Sequence, residues 1–517
     1  MDHHVIDVGS SKQLFVDRMF IDSSTAVELV MNPPYPTGQP VVVLDESWEK
    51  QPEARLGRTY NCVLKEDDGT IRIWYSVDDP DNDERYVSYA ESSDGIHFTK
   101  PVLDLVDVGG STANNAVLPS LIGGSSVWID PNAPPEERYK TQTKVYSPEV
   151  WGQFHMHSSP DGIRWKLFEN IRIGRGGWDT QSIVFWDPRI GRYVLYTRYW
   201  VAKRHGTAEG NESYRTVRRL ESDDLRRWDN QSIVMWPDEV DMATYETPVP
   251  LRSAGPDTPH GRVAMDYYGA LVFKYPDAAT GVYFMLAHAN WCWYDSDLVV
   301  TSMRDDLAVE RQETRRLPLP SRFDTRLAVS RDGKSFQRCG GRRPFMSPGP
   351  EGTFSSRSIW EMPNPIRVGD ELWIYYTGAN WDENGTVDPT AQSRLSGIDR
   401  AVMRLDGFMS ADADYSGGEL LTPSIRFSGS RLELNVDTGA GGSVLVELQH
   451  DNGQPVQGYT ADEATFICGN SVRMPVCWGD RQDVSGLAGK PIKIRFVMRD
   501  CKLYAFQFIS DQPDSRE

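Results

Sequence analysis

The chain has 517 residues, 39% of them hydrophobic and 25% charged, the balance of a globular protein. With 55 Lys and Arg against 74 Asp and Glu, its formal net charge is −19. So acidic a surface repels phosphate backbones and anionic lipid, which argues against a nucleic acid or a membrane as partner.

No run of 18 apolar residues occurs, which excludes a membrane-spanning helix. Met1 to Asp17 lacks a basic stretch followed by an apolar one, so no secretory signal is read there. Six cysteines, at 62, 292, 339, 468, 477 and 501, form no Cys-x-x-Cys pair and no zinc-like cluster. Reduced, buried thiols in a cytoplasmic protein are the expectation.

Residues 1–45 carry one hairpin-like strand pair, around 14–21, and are expected to clasp the domain beyond them. From 46 to 409 one element recurs: Ser, then Asp-Gly, then an aromatic. It stands as Ser92-Ser93-Asp94-Gly95-Ile96-His97-Phe98 and as Ser159-Pro160-Asp161-Gly162-Ile163-Arg164-Trp165. Further copies are Ser222-Asp223-Asp224-Leu225-Arg226-Arg227-Trp228, Ser330-Arg331-Asp332-Gly333-Lys334-Ser335-Phe336 and the remnant Leu405-Asp406-Gly407-Phe408. Asp-Gly closes tight turns, and flanking aromatics suit strands.

Ahead of each copy, a polar turn leads into an aromatic-rich strand. The turns are Asp67-Asp68-Gly69, Pro135-Glu136-Glu137, residues 188–191, residues 278–281 and Val368-Gly369-Asp370. Another short apolar run precedes each turn, as at 182–186 and 267–273. The unit is therefore strand, turn, strand and hairpin, five times over. The copies lie further apart than the roughly 40–50 residues of simple propeller repeats, and the excess is loop. This predicts an all-β chain with a five-bladed β-propeller over 46–409.

Residues 410–418, rich in Ser, Ala, Asp and Gly, read as a linker. Short alternating strands come after it, at 431–436, 443–448, 490–498 and 502–508. They predict a small C-terminal β-sandwich within 410–517.

In a propeller the innermost strand of each blade lines the central channel. Aligning these strands on the turn at their end places Asp179, Asp266 and Glu361 at the starts of three consecutive blades. Three convergent carboxylates meet the needs of glycoside hydrolysis, in which one acid protonates the leaving oxygen and another attacks or activates water. A third can tune the acid. Capping of strands or binding of loop amides would equally employ such residues.

The segment Trp178-Asp179-Thr180-Gln181-Ser182-Ile183-Val184-Phe185-Trp186-Asp187 resembles the Asp-led inner strand of glycoside hydrolase family 43. The Ser-Asp-Gly-aromatic hairpins, with a sandwich after the propeller, resemble family 32. The resemblance implies release of a terminal furanoside, or of xylose, from a small oligosaccharide or glycoside, with no cofactor. It implies Asp179 as nucleophile or general base, Asp266 as transition-state stabiliser or tuner of the acid, and Glu361 as general acid. The Asn-Asp-Pro motif of family 32 is absent from blade one, and the acids begin on blade three.

Further substrate-binding candidates are Glu53 and Arg55 before the first inner strand, Asn115 in a loop before blade two, and Trp178 and Trp360 beside the acids. Glu246 is a rival carboxylate. Trp291 and Trp293 could stack on a sugar or fill the core. Arg198 and Arg357 could bind a carboxylate or phosphate.

The acidic loop at Asp78, Asp79, Asp81 and Asp83 lacks the Gly and terminal Glu of an EF-hand, so no metal is expected. Gly174-Arg175-Gly176-Gly177 opens no phosphate loop, and no Gly-x-Ser-x-Gly elbow occurs. A glycoside phosphorylase, of the kind in family 130, and a non-catalytic carbohydrate-binding propeller are the alternatives. In the families that the chain resembles such a sandwich packs on the propeller and supports oligomers, so the resemblance also implies a homo-oligomer.

Overall fold

The computed structural model describes residues 5–49, 54–57, 60–79, 84–119, 126–144, 153–172, 180–202, 213–241, 248–249, 261–276, 281–294, 321–382, 385 and 387–510. Strand dominates, because short apolar runs are cut by Asp-Gly and Gly or Pro turns before any helical period develops. Five antiparallel sheets succeed one another along the chain. The chain is a five-bladed β-propeller.

From the axis outward, blade one holds Arg55–Leu56 and Cys62–Lys65, then Ile71–Asp79, Glu84–Ser92 and Ala116–Pro119. Blade two holds Trp128–Ile129, Tyr139–Lys144, Gln153–Ser159 and Lys166–Arg172. Blade three holds Ile183–Asp187, Arg192–Ala202, Ser213–Ser222 and Asp229–Met235. Blade four holds Pro248–Val249 with Gly261–Lys274, then Tyr283–Tyr294, Ser321–Ser330 and Gln337–Arg338. Blade five holds Ser358–Glu361 and Ile366–Val368, then Glu371–Ala379 and Ser396–Arg404.

The fourth strand of blade five comes from the other end of the chain. Tyr35–Pro36 pairs with Ser396–Arg404 through Val402 and Ala401. Asp399 secures the join, accepting from Thr37 Oγ1 (2.5 Å), the Gly38 N–H (2.8 Å) and Tyr376 OH (2.8 Å).

The repeated Ser-Asp-Gly element turns the third strand of a blade into the fourth. Ser92 Oγ donates to Asp94 Oδ1 (2.9 Å) and accepts from the Gly95 N–H (2.9 Å). Asp94 Oδ1 accepts from the backbone of Ile96 and His97 (2.8 Å each). The same side-chain turn stands at Asp161, Asp224 and Asp332.

An aromatic of the preceding blade binds the turn's carbonyl. Trp74 Nε1 donates to Gly162 O, Tyr196 OH to Gly333 O and Tyr375 OH to Gly95 O, each at 2.7 Å. The last of these joins blade five to blade one. Gly162 has φ +74, and a Cβ there would meet Trp74 at 2.8 Å, so only glycine fits.

Blades pack face to face, so their middle strands are apolar on both sides. Val194, Tyr196 and Val217 of blade three meet Met265, Tyr267 and Ala287 of blade four in one buried cluster. Cys62 and Trp74 of blade one meet Tyr139 of blade two in another.

Beyond blade five, the strands join one ten-stranded sheet built on Arg431–His450 and Ile492–Ile509. Four N-terminal strands, Ile6–Gly9, Gln13–Leu14, Ser23–Thr25 and Val27–Met31, belong to it. Its core gathers Phe15, Phe20, Phe427, Val446, Phe496, Phe506 and Phe508. Leu14, Met31 and Met409 instead pack with Phe284, Phe345 and Phe408, tying this sheet to blades four and five. Among the described residues, no helix is long and apolar enough to cross a membrane.

Candidate functional site

The inner strands crowd the axis with polar side chains. Asn61 of blade one donates from Nδ2 to Thr377 Oγ1 of blade five (2.6 Å) and to Gly57 O (2.8 Å). Gln181 Nε2 of blade three donates to Asn61 O (2.9 Å), and Trp360 Nε1 of blade five donates to Gln181 Oε1 (3.2 Å). Blade four passes so close that a Cβ at Gly269 would lie 2.6 Å from Thr180 Oγ1. These contacts make the floor.

Away from the Ser-Asp-Gly turns, the upper ends of blades three, four and five gather around Tyr268. The register of Gly261–Lys274 against Tyr283–Tyr294 shifts between Tyr267 and Gly269, so Tyr268 is the bulged residue. Its ring lies 5.2 Å from Phe323 and 5.5 Å from Trp360, centroid to centroid. The guanidinium groups of Arg198 and Arg215 sit 4.8 and 4.7 Å from the same ring. Both also approach Trp200, at 5.6 and 4.8 Å.

Asp266 precedes this bulge. Its carboxylate accepts from Arg215 Nη1 (3.2 and 3.3 Å) and from the Arg215 backbone N–H (3.3 Å). The Asp266 side chain keeps 19% of its surface exposed, and that of Arg215 keeps 23%. Arg198 is buried. Burial is the main force pushing its pKa down; Arg215 adds to it, and Tyr268 opposes it.

Glu361 differs in every respect. It has no exposed surface. Its Oε2 accepts from His288 Nε2 (2.9 Å), and both oxygens lie within reach of the Thr325 hydroxyl (2.7 and 2.8 Å). The His288 ring stacks on Trp360 at 3.9 Å and 23°. Trp360 is itself buried at 2% exposure, so it closes the floor and presents no face to a ligand.

Other expected contacts are used within the fold. Asn115 is buried: its Nδ2 donates to Tyr75 OH and Tyr89 O (2.7 Å each), and its Oδ1 accepts from Trp48 Nε1 (3.0 Å). These bonds commit the amide to blade one and correct its reading as a sugar ligand. Arg357 is bound through both terminal nitrogens by the half-exposed Glu351 (2.7 and 2.8 Å). Arg55 pairs with Asp78 in blade one and is half-buried. Glu53, Trp178, Asp179 and Glu246 lie outside the described residues, as does the side chain of Trp293, whose backbone pairs with Val263.

Trp291 is half-buried, and its Nε1 donates to Asp324 Oδ2 (3.0 Å). Burial raises the Asp324 pKa, against the charge of Arg326 and its hydrogen bonds from Arg326 and Trp291. Among the described residues, no group of three or more His, Cys, Asp or Glu side chains could hold a metal ion.

The structure thus gathers Asp266, Arg198 and Trp360 around Tyr268 and sets Glu361 beneath Trp360. Sequence reasoning missed Tyr268, Arg215, Trp200, His288 and Asp324. Tyr267-Tyr268-Gly269, directly after Asp266, is a legible signal for the bulge, since Gly inside a strand marks one. The others sit on second and third strands, where nothing in the chain separates a channel residue from a core one.

No family model matches the chain. Two uncharacterized proteins from two strains of Mycobacterium tuberculosis are each 26% identical to it over 169 residues. The match covers 31% of this chain and 50% of each relative, so the chain spans about half the length of the curated relatives it matches.

Similar solved structures include a β-1,2-mannobiose phosphorylase from Listeria innocua, with 14% identity and a TM-score of 0.43 over 73% of this chain and 98% of that one. Another is an N-acetylgalactosamine deacetylase from F. plautii in complex with blood group B trisaccharide, with 14% identity and a TM-score of 0.42 over 74% and 97%. A thermostable family-43 glycoside hydrolase shows 14% identity and a TM-score of 0.38 over 73% and 96%.

Proposed function

We propose that the chain is a carbohydrate-active enzyme that cleaves a terminal glycosidic bond at the upper mouth of the propeller. The observation that carries this reading is Asp266: a part-exposed carboxylate on an inner strand, paired with Arg215, whose guanidinium lies over the rings of Tyr268 and Trp200. Aromatic faces bind the C–H face of a sugar, and an adjacent carboxylate stabilises the positive charge that develops at its anomeric carbon.

Asp179, one residue before Thr180 on the floor, is the proposed nucleophile or base, on the strength of the family resemblance. Glu361, the proton donor by that resemblance, is enclosed by His288, Thr325 and Trp360. Its burial suits a carboxylate that holds its neighbours, and Asp266 takes the substrate-facing role.

Turnover of nitrophenyl furanosides and pyranosides, with and without phosphate, tests the reading. Asp266→Asn should lose about 10²–10³-fold in kcat/KM, the span for removing one electrostatic stabiliser of the transition state. Absence of turnover by the unmodified protein, with sugar binding intact, would leave a binding propeller instead. Phosphorolysis is the second reading, favoured by the two guanidinium groups beside Asp266, and turnover that requires phosphate would select it.

A further inference from the structure

We propose that Tyr60 is a substrate-binding residue, turned into the mouth of the channel by a strained backbone so that its phenol meets a hydroxyl of the terminal sugar. The inference rests on the carbohydrate reading above and adds a specificity residue to it.

Tyr60 stands between the two pieces of the inner strand of blade one, Arg55–Leu56 and Cys62–Lys65. Leu56 pairs with Val77 and Cys62 with Trp74, so five residues of the inner strand oppose two of its neighbour. Tyr60 therefore lies in a bulge. Ser76 fixes both ends of it: the Gly57 N–H donates to Ser76 O (2.7 Å), and Asn61 Oδ1 accepts from the Ser76 N–H (2.8 Å). Asn61 Nδ2 closes the loop by donating to Gly57 O (2.8 Å).

Within these bonds Tyr60 takes φ +77. Among the described residues nine non-glycine residues have a positive φ, and Tyr60 is the one aromatic. For a bulky side chain this conformation is an outlier, and such strain persists only where the surrounding bonds impose it. It gathers at sites where a side chain must be aimed at a ligand.

The direction is toward the axis. Asn61, next in the chain, belongs to the floor through Thr377 and Gln181. The Tyr60 phenol lies within electrostatic reach of the buried Arg198 guanidinium, on the second strand of blade three. Blade two stands between these blades, so their residues meet only at the channel. Arg198 lies 4.8 Å from the Tyr268 ring, and Arg215, 4.7 Å from that ring, holds Asp266. Tyr60 and Asp266 thus approach the mouth from opposite sides. Tyr60 is half-buried, so part of it reaches solvent there. A phenol both donates and accepts a hydrogen bond, which suits a neutral sugar hydroxyl.

The test titrates the full-length protein with glucose, mannose, xylose and arabinose by calorimetry and follows kcat and KM on any nitrophenyl glycoside turned over. The urea midpoint of each variant is read alongside. Tyr60→Phe keeps the ring and loses the hydroxyl, so Kd and KM should rise about three- to tenfold. Its kcat should stay within about threefold, as for an interaction made equally in ground and transition states. Tyr60→Gly removes the phenol and relieves the backbone. Its binding should weaken at least as much while its urea midpoint stays level or rises.

Unchanged Kd and KM in Tyr60→Phe would overturn the proposal. A Gly variant that has a lowered midpoint, or that does not fold, would overturn it independently by making Tyr60 a packing residue. Sugar binding without glycoside turnover would sink the enzymatic reading and leave Tyr60 to be decided on Kd alone. A protein that binds none of the four sugars and turns over no glycoside would overturn both.

Discussion

Asp266 keeps 19% of its side chain exposed beside Arg215, whereas Glu361 keeps none. Solvent contact sets what each substitution should cost. Asp266→Asn breaks a part-exposed ion pair, worth at most about 1 kcal/mol, so its loss should appear in activity and not in a urea midpoint. Glu361→Gln turns an NH₂ group toward the Thr325 hydroxyl or the His288 N–H in a sealed site. That should cost about 1–3 kcal/mol in urea unfolding, whatever it does to turnover.

The thiols separate along the same line. Burial pushes Cys62 and Cys339 up to about 12, and Cys501 is also buried, whereas Cys468 is exposed. In a native titration with a thiol reagent at pH 8, Cys468 should react at once, and Cys62, Cys339 and Cys501 should wait for denaturant. Rapid native labelling of Cys62 or Cys339 would contradict the packing of the propeller, and of Cys501 the packing of the terminal sheet.

At the scale of elements, the Ser-Asp-Gly turn is both a local and a long-range device. Its Asp accepts two backbone N–H groups within the turn, and its Gly carbonyl is bound by the neighbouring blade. Trp74→Phe removes the donor to Gly162 O and should destabilise by about 1–3 kcal/mol, read from the denaturant midpoint, because a buried carbonyl is left unpaired.

The turns also set an acid limit. Burial works to raise Asp161 and Asp332, but backbone N–H donors outweigh it and hold both at about 2. Asp238 also stands at about 2, burial being outweighed by Arg342, the Asp241 N–H and Arg338. A carboxylate with a folded pKa below its unfolded value of about 3.9 contributes stability above that value and loses it as pH falls through the folded pKa. Chemical unfolding should therefore show a plateau from pH 7 to about 5 and a steep fall between about 4 and 2.

For the whole molecule, closure of the ring depends on two ends of the chain meeting. Tyr35–Pro36 supplies the outer strand of blade five, and the strands before it lie in the C-terminal sheet, so one N-terminal segment joins propeller and sheet. The buried Asp399 holds this join. Asp399→Ala leaves the Thr37 hydroxyl, the Gly38 N–H and Tyr376 OH without their acceptor, and should lower stability by about 1–3 kcal/mol in urea unfolding. A midpoint unchanged from the unmodified protein would show that these three bonds contribute no net stability to the join.

The number of blades was legible along the chain. Each turn needs residues of particular chemistry at fixed local spacing: Ser and Asp to cap backbone N–H groups and, at Gly95, Gly162 and Gly333, Gly to take a positive φ against a neighbouring ring, a position that Leu225 fills in blade three. Asp266 was legible only as an acid on an inner strand: the reading put it at the strand's start, and it lies within Gly261–Lys274, because pairing with Tyr283–Tyr294 carries the strand further back than its apolar run. Convergence could not be read that way. Tyr268 reaches Arg198 and Arg215 because a bulge turns it, Trp291 is pinned by an Asp on the next strand, and Glu361 is sealed by His288 and Thr325 from a different blade. These partners are separated by tens of residues and brought together by sheet register and blade packing. The sequence by itself therefore determined the repeat and the residue types at the axis; the tertiary structure alone decided which carboxylate meets solvent and which is enclosed.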